Sequence, residues 1–288
     1  MSAHPASTHY RSVFISDTHL GTRGCRADFL ADFLSRISAD HLYLVGDIVD
    51  GWRLRRFWFW DRHHDEVLAQ IFRHARSGAK VVYVPGNHDE ALRRVLPLGL
   101  EVAGIGFADE AEHVTADGKR LLVIHGDQFD SVVRYAKILA LLGDWAYTAA
   151  LGLNRYFNLA RARFGYPYWS LSSWLKRQVK EAVKAIDRFE QALAADAADR
   201  GFDGVVCGHI HHPEMRMVGD VLYVNDGDWV ESCTALVEHA DGRLELIDWA
   251  ALNGLSFLTP RQRSALPPEI VAAGAMADGA AGEAEAAA

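Results

Sequence analysis

Five short apolar runs in this chain each break off into carboxylate, imidazole or amide side chains. "SVFIS" (12–16) runs into Asp17-Thr-His19, and "HLYLV" (41–45) into Gly46-Asp47-Ile-Val-Asp50. "KVVYV" (80–84) leads to Pro85-Gly86-Asn87-His88-Asp89, and "LLVI" (121–124) to His125-Gly126-Asp127. "GVVC" (204–207) leads to Gly208-His209-Ile-His211. The runs are continuously apolar rather than alternating, which predicts strands covered on both faces. Helical spacing over 26–37 and 65–78 fills gaps between them, with Gly78 as a C-cap. Strands alternating with helices predict a layered α/β fold. In such folds ligands gather beyond the carboxyl ends of the strands, where all five polar blocks sit.

Carboxylate, amide and imidazole donors converging on one crevice suit Mn²⁺, Fe, Zn²⁺ or Co²⁺ rather than a thiolate-loving metal. In extended chain, residues i and i+2 share a side, so Asp17 with His19, and His209 with His211, are each expected to address one site or two adjacent ones. Glycines at 46, 86, 126 and 208 permit tight turns and close backbone approach. One such block would be an ordinary turn. Five, each directly behind a β-rich run, make a site.

The rest of the chain sets bounds. "VLYVN" (221–225), "TALVEH" (234–239) and "RLELIDW" (243–249) read as antiparallel additions, with "ADG" (240–242) as a hairpin turn. Residues 131–197 lack strand signals and predict a helical insertion. The tail over 260–288 is rich in Ala, Gly and Pro and predicts disorder. Three scattered cysteines offer neither a disulfide framework nor a Cys-x-x-Cys metal site. Residues 1–12 contain no apolar run of the signal-peptide kind. The longest apolar stretch, 138–153, is short for a membrane span and holds Gly143 and Asp144. A cytoplasmic protein is expected, touching the inner membrane peripherally if at all. The formal charge of −8 argues against a nucleic-acid partner.

The blocks D-x-H, G-D-x-x-D, G-N-H-[DE], a later His and G-H-x-H occur in order over residues 17–211, and the chain thereby resembles the calcineurin-like metallophosphoesterases. That resemblance implies a four-layer α/β/β/α sandwich spanning residues 10–250, with 131–197 as a helical cap inserted within it. It also implies a two-metal centre, with Mn²⁺ the first expectation. One ion would take Asp17, His19, Asp47 and His211. The other would take Asp47, Asn87, His125 and His209, with Asp47 shared. His88 would face the phosphate and its leaving group, and Asp50 would orient His88. Two such ions about 3.5–4 Å apart activate water and hold phosphoryl oxygens for in-line hydrolysis.

Within that superfamily, "SDTHLG", "YLVGDIVDGW", "HGDQFD", "GHIHHP" and "NDGDWVES" are similar to the UDP-2,3-diacylglucosamine diphosphatase type. This implies hydrolysis of the pyrophosphate of a UDP-linked lipid to UMP and lipid phosphate, as in lipid A synthesis. Two blocks depart from that type, which has G-N-R-D and G-D-x-x-E. Arg is a fixed cation, whereas His88 can also move a proton. A phosphomonoesterase on another lipid or small phosphate is the alternative, and an inactive scaffold or lipid-binding protein the alternative of another class. Oligomeric state has no sequence signal.

"WRLRRFWFW" (52–60) follows the second block and mixes three arginines with five aromatics. Residues 132–188 repeat the mixture, with ten basic and only three acidic side chains. Basic and aromatic residues together suit anionic headgroups and acyl chains. Arg55, Arg56, Trp58 and Trp60 are therefore expected to bind the substrate lipid.

Overall fold

The structure, a computed structural model, describes residues 8–99, 101–129, 163–164 and 171–253. Its first half runs β1 (Thr8–Ile15), α1 (Ala27–Arg36), β2 (Ile37–Val45), α2 (Gly51–Leu54), α3 (Arg62–Arg76), β3 (Lys80–Val84), β4 (Glu101–Val102), β5 (Ile105–Phe107), β6 (Ala111–Val114) and β7 (Arg120–Val123). After it come α4 (Leu171–Asp199), β8 (Gly204–Cys207), β9 (Glu214–Val218), β10 (Val221–Asn225), β11 (Thr234–Glu238), β12 (Leu244–Asp248) and α5 (Trp249–Asn253). The first sheet has the order β12-β11-β1-β2-β3-β5-β4, and the second β6-β7-β8-β10-β9.

Strand alternation sorts the core into layers. Val13, Ile15, Leu42 and Leu44 face outward, onto Phe29, Phe33 and Leu34 of α1 and Val67 and Ile71 of α3. Their neighbours Phe14, Tyr43 and Val45 face the other way and meet Leu121, Val123, Val206 and Val224 of the second sheet. The Phe14 and Tyr43 rings stack at 4.7 Å. The far face of the second sheet, with Leu122, Val205 and Tyr223, is covered by Phe189, Leu193 and Ala197 of α4. The result is helix, sheet, sheet, helix: the four-layer α/β/β/α sandwich.

Several details differ from the sequence reading. "VLYVN" is not an antiparallel addition: β10 pairs parallel to β8 and antiparallel only to β9. The reversal comes from β9, whose "EMRMV" is an edge strand with three exposed residues and so carries no apolar signal. β4, β5 and β6, of two to four residues each, were too short to show a period. β1 and β2 begin earlier than their apolar runs, and Ile37 passes directly from α1 into β2. α3 starts at Arg62 rather than 65, because the Asp61 carboxylate accepts from the amides of His63 and His64. The expected 131–197 insertion ends in the body of the fold, since α4 packs on the second sheet from Ala185 onward. Residues 130–162, 165–170 and the tail over 260–288 lie outside the described residues.

Candidate metal centre and its cleft

β1, β2 and β3 run parallel in one sheet, and β7 and β8 in the other. The polar blocks follow the carboxyl ends of these five strands, and they meet where the two sheets come together. Backbone hydrogen bonds knit the loops: Asp17 N–H donates to Gly46 O (3.0 Å) and His19 N–H to Asp47 O (2.9 Å). His125 Nδ1 lies 2.9 Å from Val45 O, so Nδ1–H bonds across the sheets and Nε2 is left facing the site.

Three groups of side chains converge closely enough to hold ions: Asp17, His19 and His211; Asp47, His125 and His209; and, between these, His19, Asp47 and His88. His211 Nε2 is 3.0 Å from Asp17 Oδ1, and His125 Nε2 is 3.5 Å from Asp47 Oδ2. His19 Nε2 lies 3.7 Å from Asp17 Oδ1 and 3.9 Å from Asp47 Oδ2, so it borders both groups. Asn87 follows Gly86, where a Cβ would collide with Asp47 Oδ1 and approach His125. A Cβ on Gly208 would collide in the same way with Asp17 Oδ2. Glycine is needed at both positions because the backbone lies against a carboxylate.

The carboxylates fit cations. One oxygen of each is tied to the backbone: Asp17 Oδ2 accepts from His209 N–H and Asp47 Oδ1 from His88 N–H, both at 2.7 Å. The other oxygens, Asp17 Oδ1 and Asp47 Oδ2, are buried with no hydrogen-bond partner, and so is Asn87 Oδ1. Imidazole nitrogens stand close to these carboxylate oxygens without being aligned to donate to them. Orphaned buried acceptors are costly unless something occupies them, and donors sharing an ion would leave this pattern.

The electrostatics agree. Burial works against charge on His125, but the nearby Asp47 and Asp17 carboxylates win and raise it to about 10. Burial also opposes charge on His19, and Asp17, Asp50 and Asp47 raise it to about 9. Asp47 is held down at about 2 despite its burial, chiefly by His125. A cluster that draws protons this strongly would release them to a divalent cation.

Strain marks the same residues. Seven non-glycine residues among those described have φ in the left-handed region, and five are predicted ligands: Asp17, His19, Asp47, His209 and His211. Such conformations cost about 1–3 kcal/mol each and persist where the surroundings dictate them. Asp17 and His19 thus share one group, and His209 and His211 address two adjacent ones, through left-handed turns rather than through the extended chain expected from sequence.

Asp50 lies between two imidazoles, with Oδ2 3.0 Å from His88 Nδ1 and 3.4 Å from His19 Nδ1. His88 Nε2 is 3.9 Å from Asp47 Oδ2, at the edge of the cluster. Sequence reasoning missed Asp89. It is buried and accepts from Ile48 N–H (2.9 Å), Gly86 N–H (2.5 Å) and Tyr83 O–H (2.5 Å), bracing the second block against the third. Asn225 was missed too, although it sits in the quoted "NDGDWVES"; its Nδ2 donates to Gly208 O at 2.6 Å.

A cleft of about 1050 Å³ opens beside the cluster. His19, Asp50, His88 and His211 form one end, and Arg23, Arg53, Phe57, Trp58 and Phe59 line the rest. Of the four residues expected to bind lipid, Trp58 is in this cleft and Arg55 lines a smaller neighbouring pocket with Trp52 and His88. Arg56 lines neither. Trp60 turns inward, packs against the helix-side core and donates to Asp65 at 2.9 Å. Arg23, Arg53, Phe57 and Phe59 were not singled out, because position within a basic-aromatic run does not say which side chains face inward.

The comparisons follow the geometry. The family model for calcineurin-like phosphoesterases matches residues 10–213. The UDP-2,3-diacylglucosamine hydrolase of Photorhabdus laumondii is 25% identical over 223 residues, covering 72% of this chain and 84% of that protein. The DNA polymerase II small subunit of Methanothermobacter thermautotrophicus is 30% identical over 149 residues; the match takes in 42% of this chain but only 31% of that protein's length. Among solved structures, an archaeal phosphodiesterase aligns over 82% of this chain and 98% of its own, at 14% identity and a TM-score of 0.41. Since the family match spans well over half of the chain, from β1 through the G-H-x-H block, the protein belongs to the calcineurin-like phosphoesterases.

Proposed function

We propose that this phosphoesterase hydrolyses the pyrophosphate of a nucleotide-linked lipid of the UDP-2,3-diacylglucosamine kind, releasing UMP and lipid phosphate. The observation that carries the reading is the cleft: metal-ligand side chains at one end, continuous with arginine and exposed aromatic residues. The likeness to the Photorhabdus hydrolase supports it.

Asp17, His19, His211 and Asp47 would hold one divalent ion, and Asp47, Asn87, His125 and His209 the other. Bound ions supply Lewis-acid charge at the phosphoryl group. Asp50, whose Oδ2 lies 3.0 Å from His88 Nδ1, would orient that ring and leave Nε2 to hydrogen-bond or protonate the leaving oxygen. Asp50 also backs His19, the carboxylate–imidazole arrangement that orients metal ligands. Phe57 and Trp58, 73% and 76% exposed, offer an apolar surface for acyl chains at the cleft wall. No helix among the described residues is long and apolar enough to cross a membrane.

The test uses purified protein with Mn²⁺ on a UDP-linked diacyl sugar and on the matching lipid monophosphate, reading UMP and free phosphate separately. UMP from the first substrate, with no phosphate from the second, is expected. Phosphate from the monophosphate would make the protein a phosphomonoesterase. Release of neither product would overturn the reading.

A further inference from the structure

We propose that Arg23 and Arg53 form a clamp for a second, uncleaved phosphate, which would make this a site for diphosphates over compounds with a single phosphate. The inference rests on the phosphoryl-hydrolysis reading above. Both arginines are exposed and line the same cleft as His19, His88 and His211. Some other arginines are tied to carboxylates, as Arg11 is to Glu238, Arg36 to Asp32 and Arg93 to Asp127; Arg55 and Arg56, like Arg23 and Arg53, are not, but do not line this cleft. Neither Arg23 nor Arg53 has a carboxylate partner among the described residues. Two guanidiniums without a carboxylate partner, lining one cleft beside a predicted cation centre, leave that wall positively charged and suited to an anionic group.

The two are brought together by backbone, not by chance of rotamer. Gly21 has φ +98°, and its missing side chain lets the loop that carries Arg23 lie on Leu54 of α2, the helix that carries Arg53. Thr22 Oγ1 donates to His19 O at 2.9 Å and accepts from Cys25 N–H at 3.3 Å, fixing that loop to a predicted ligand. Arg53 N–H donates to Asp50 Oδ1 at 2.7 Å, which fixes α2 to the residue that orients His88. The Arg23 guanidinium lies 5.5 Å from the centre of the Phe59 ring, which steers the fork along the cleft wall.

The chemistry follows from anion count. A monoester has one phosphate, and the ions and His88 take it. A diphosphate has a second anionic group one bridging oxygen away, in a cleft as large as those that hold drug-sized ligands, about 300–1,000 Å³. Guanidinium forks match phosphate oxygens two at a time.

The experiment measures binding and turnover on the full chain. Calorimetry compares UDP-glucose, with two phosphates, and glucose 1-phosphate, with one, for wild type, Arg23→Ala, Arg53→Ala and Arg23→Lys. Each alanine variant should weaken UDP-glucose binding roughly 10–100-fold, the range for a hydrogen bond to a charged group. Glucose 1-phosphate should lose far less, and Arg23→Lys should recover part of the loss. In turnover, the ratio of kcat/KM for the UDP-linked lipid over bis(p-nitrophenyl) phosphate, which has one phosphate, should fall in both alanine variants. If wild type binds UDP-glucose through the arginines but cleaves no UDP-linked compound, the hydrolysis reading fails and the clamp stands. Equal losses for both ligands, no loss, or no binding of UDP-glucose by wild type would overturn the clamp.

Discussion

Asp47→Ala is expected to abolish turnover and to leave the protein unable to retain either divalent ion. Asp47 Oδ2 is the orphaned buried oxygen that faces both imidazole groups, 3.5 Å from His125 and 3.9 Å from His19. Removing it takes a ligand from each ion at once. The loss in kcat should therefore exceed the roughly 10²–10³-fold cost of deleting one transition-state donor. Metal analysis after gel filtration checks the cause, and two ions retained by the variant would refute the assignment. Asp89→Ala gives the contrast. Asp89 accepts three buried hydrogen bonds and coordinates nothing, so its loss should lower stability by about 3 kcal/mol, near 1 kcal/mol per bond. Its metal content should be that of wild type.

His88→Ala should lower kcat by about 10²–10⁴-fold, the range for general acid–base help, while metal content stays intact. The ring stands with Nδ1 3.0 Å from Asp50 and lines the cleft, and its Nε2 is farther from Asp47 than the Nε2 of His125 is. A leaving group that needs no proton, such as p-nitrophenolate, should lose less than an alkyl or sugar phosphate. Equal losses on both would move His88 from the leaving group to the ion site. Loss of a metal ion in His88→Ala would make it a ligand, as the third convergent group allows.

Much of this was legible in the sequence, for identifiable reasons. The five runs are apolar because both faces of each central strand are covered, and that same covering places their ends at the junction of the sheets. Of the seven ligands that the resemblance implies, the six aspartate and histidine side chains fall in the convergent groups there. The backbone conformation was not legible. Left-handed turns at Asp17, His19, Asp47, His209 and His211 leave no trace in residue type, because aspartate and histidine tolerate φ > 0 without requiring it. Edge strands were missed where exposure removes the apolar period, as in β9. The cleft wall was half read. The basic-aromatic run was visible, but Trp60 and Trp58 differ only in which way α2 and its following turn direct them. Arg23 lies outside the run altogether and reaches the cleft through the Gly21 turn.

The central claim is that two ions, held by Asp17, His19, Asp47, Asn87, His125, His209 and His211, carry the hydrolysis. Its most direct test is a titration of chelator-stripped protein with Mn²⁺, following bound metal and turnover of the UDP-linked lipid in the same samples. Turnover should be absent without metal, rise mainly as the second equivalent binds, and plateau at two ions per chain. Full activity at one ion per chain, or activity that survives complete removal of metal, would contradict it.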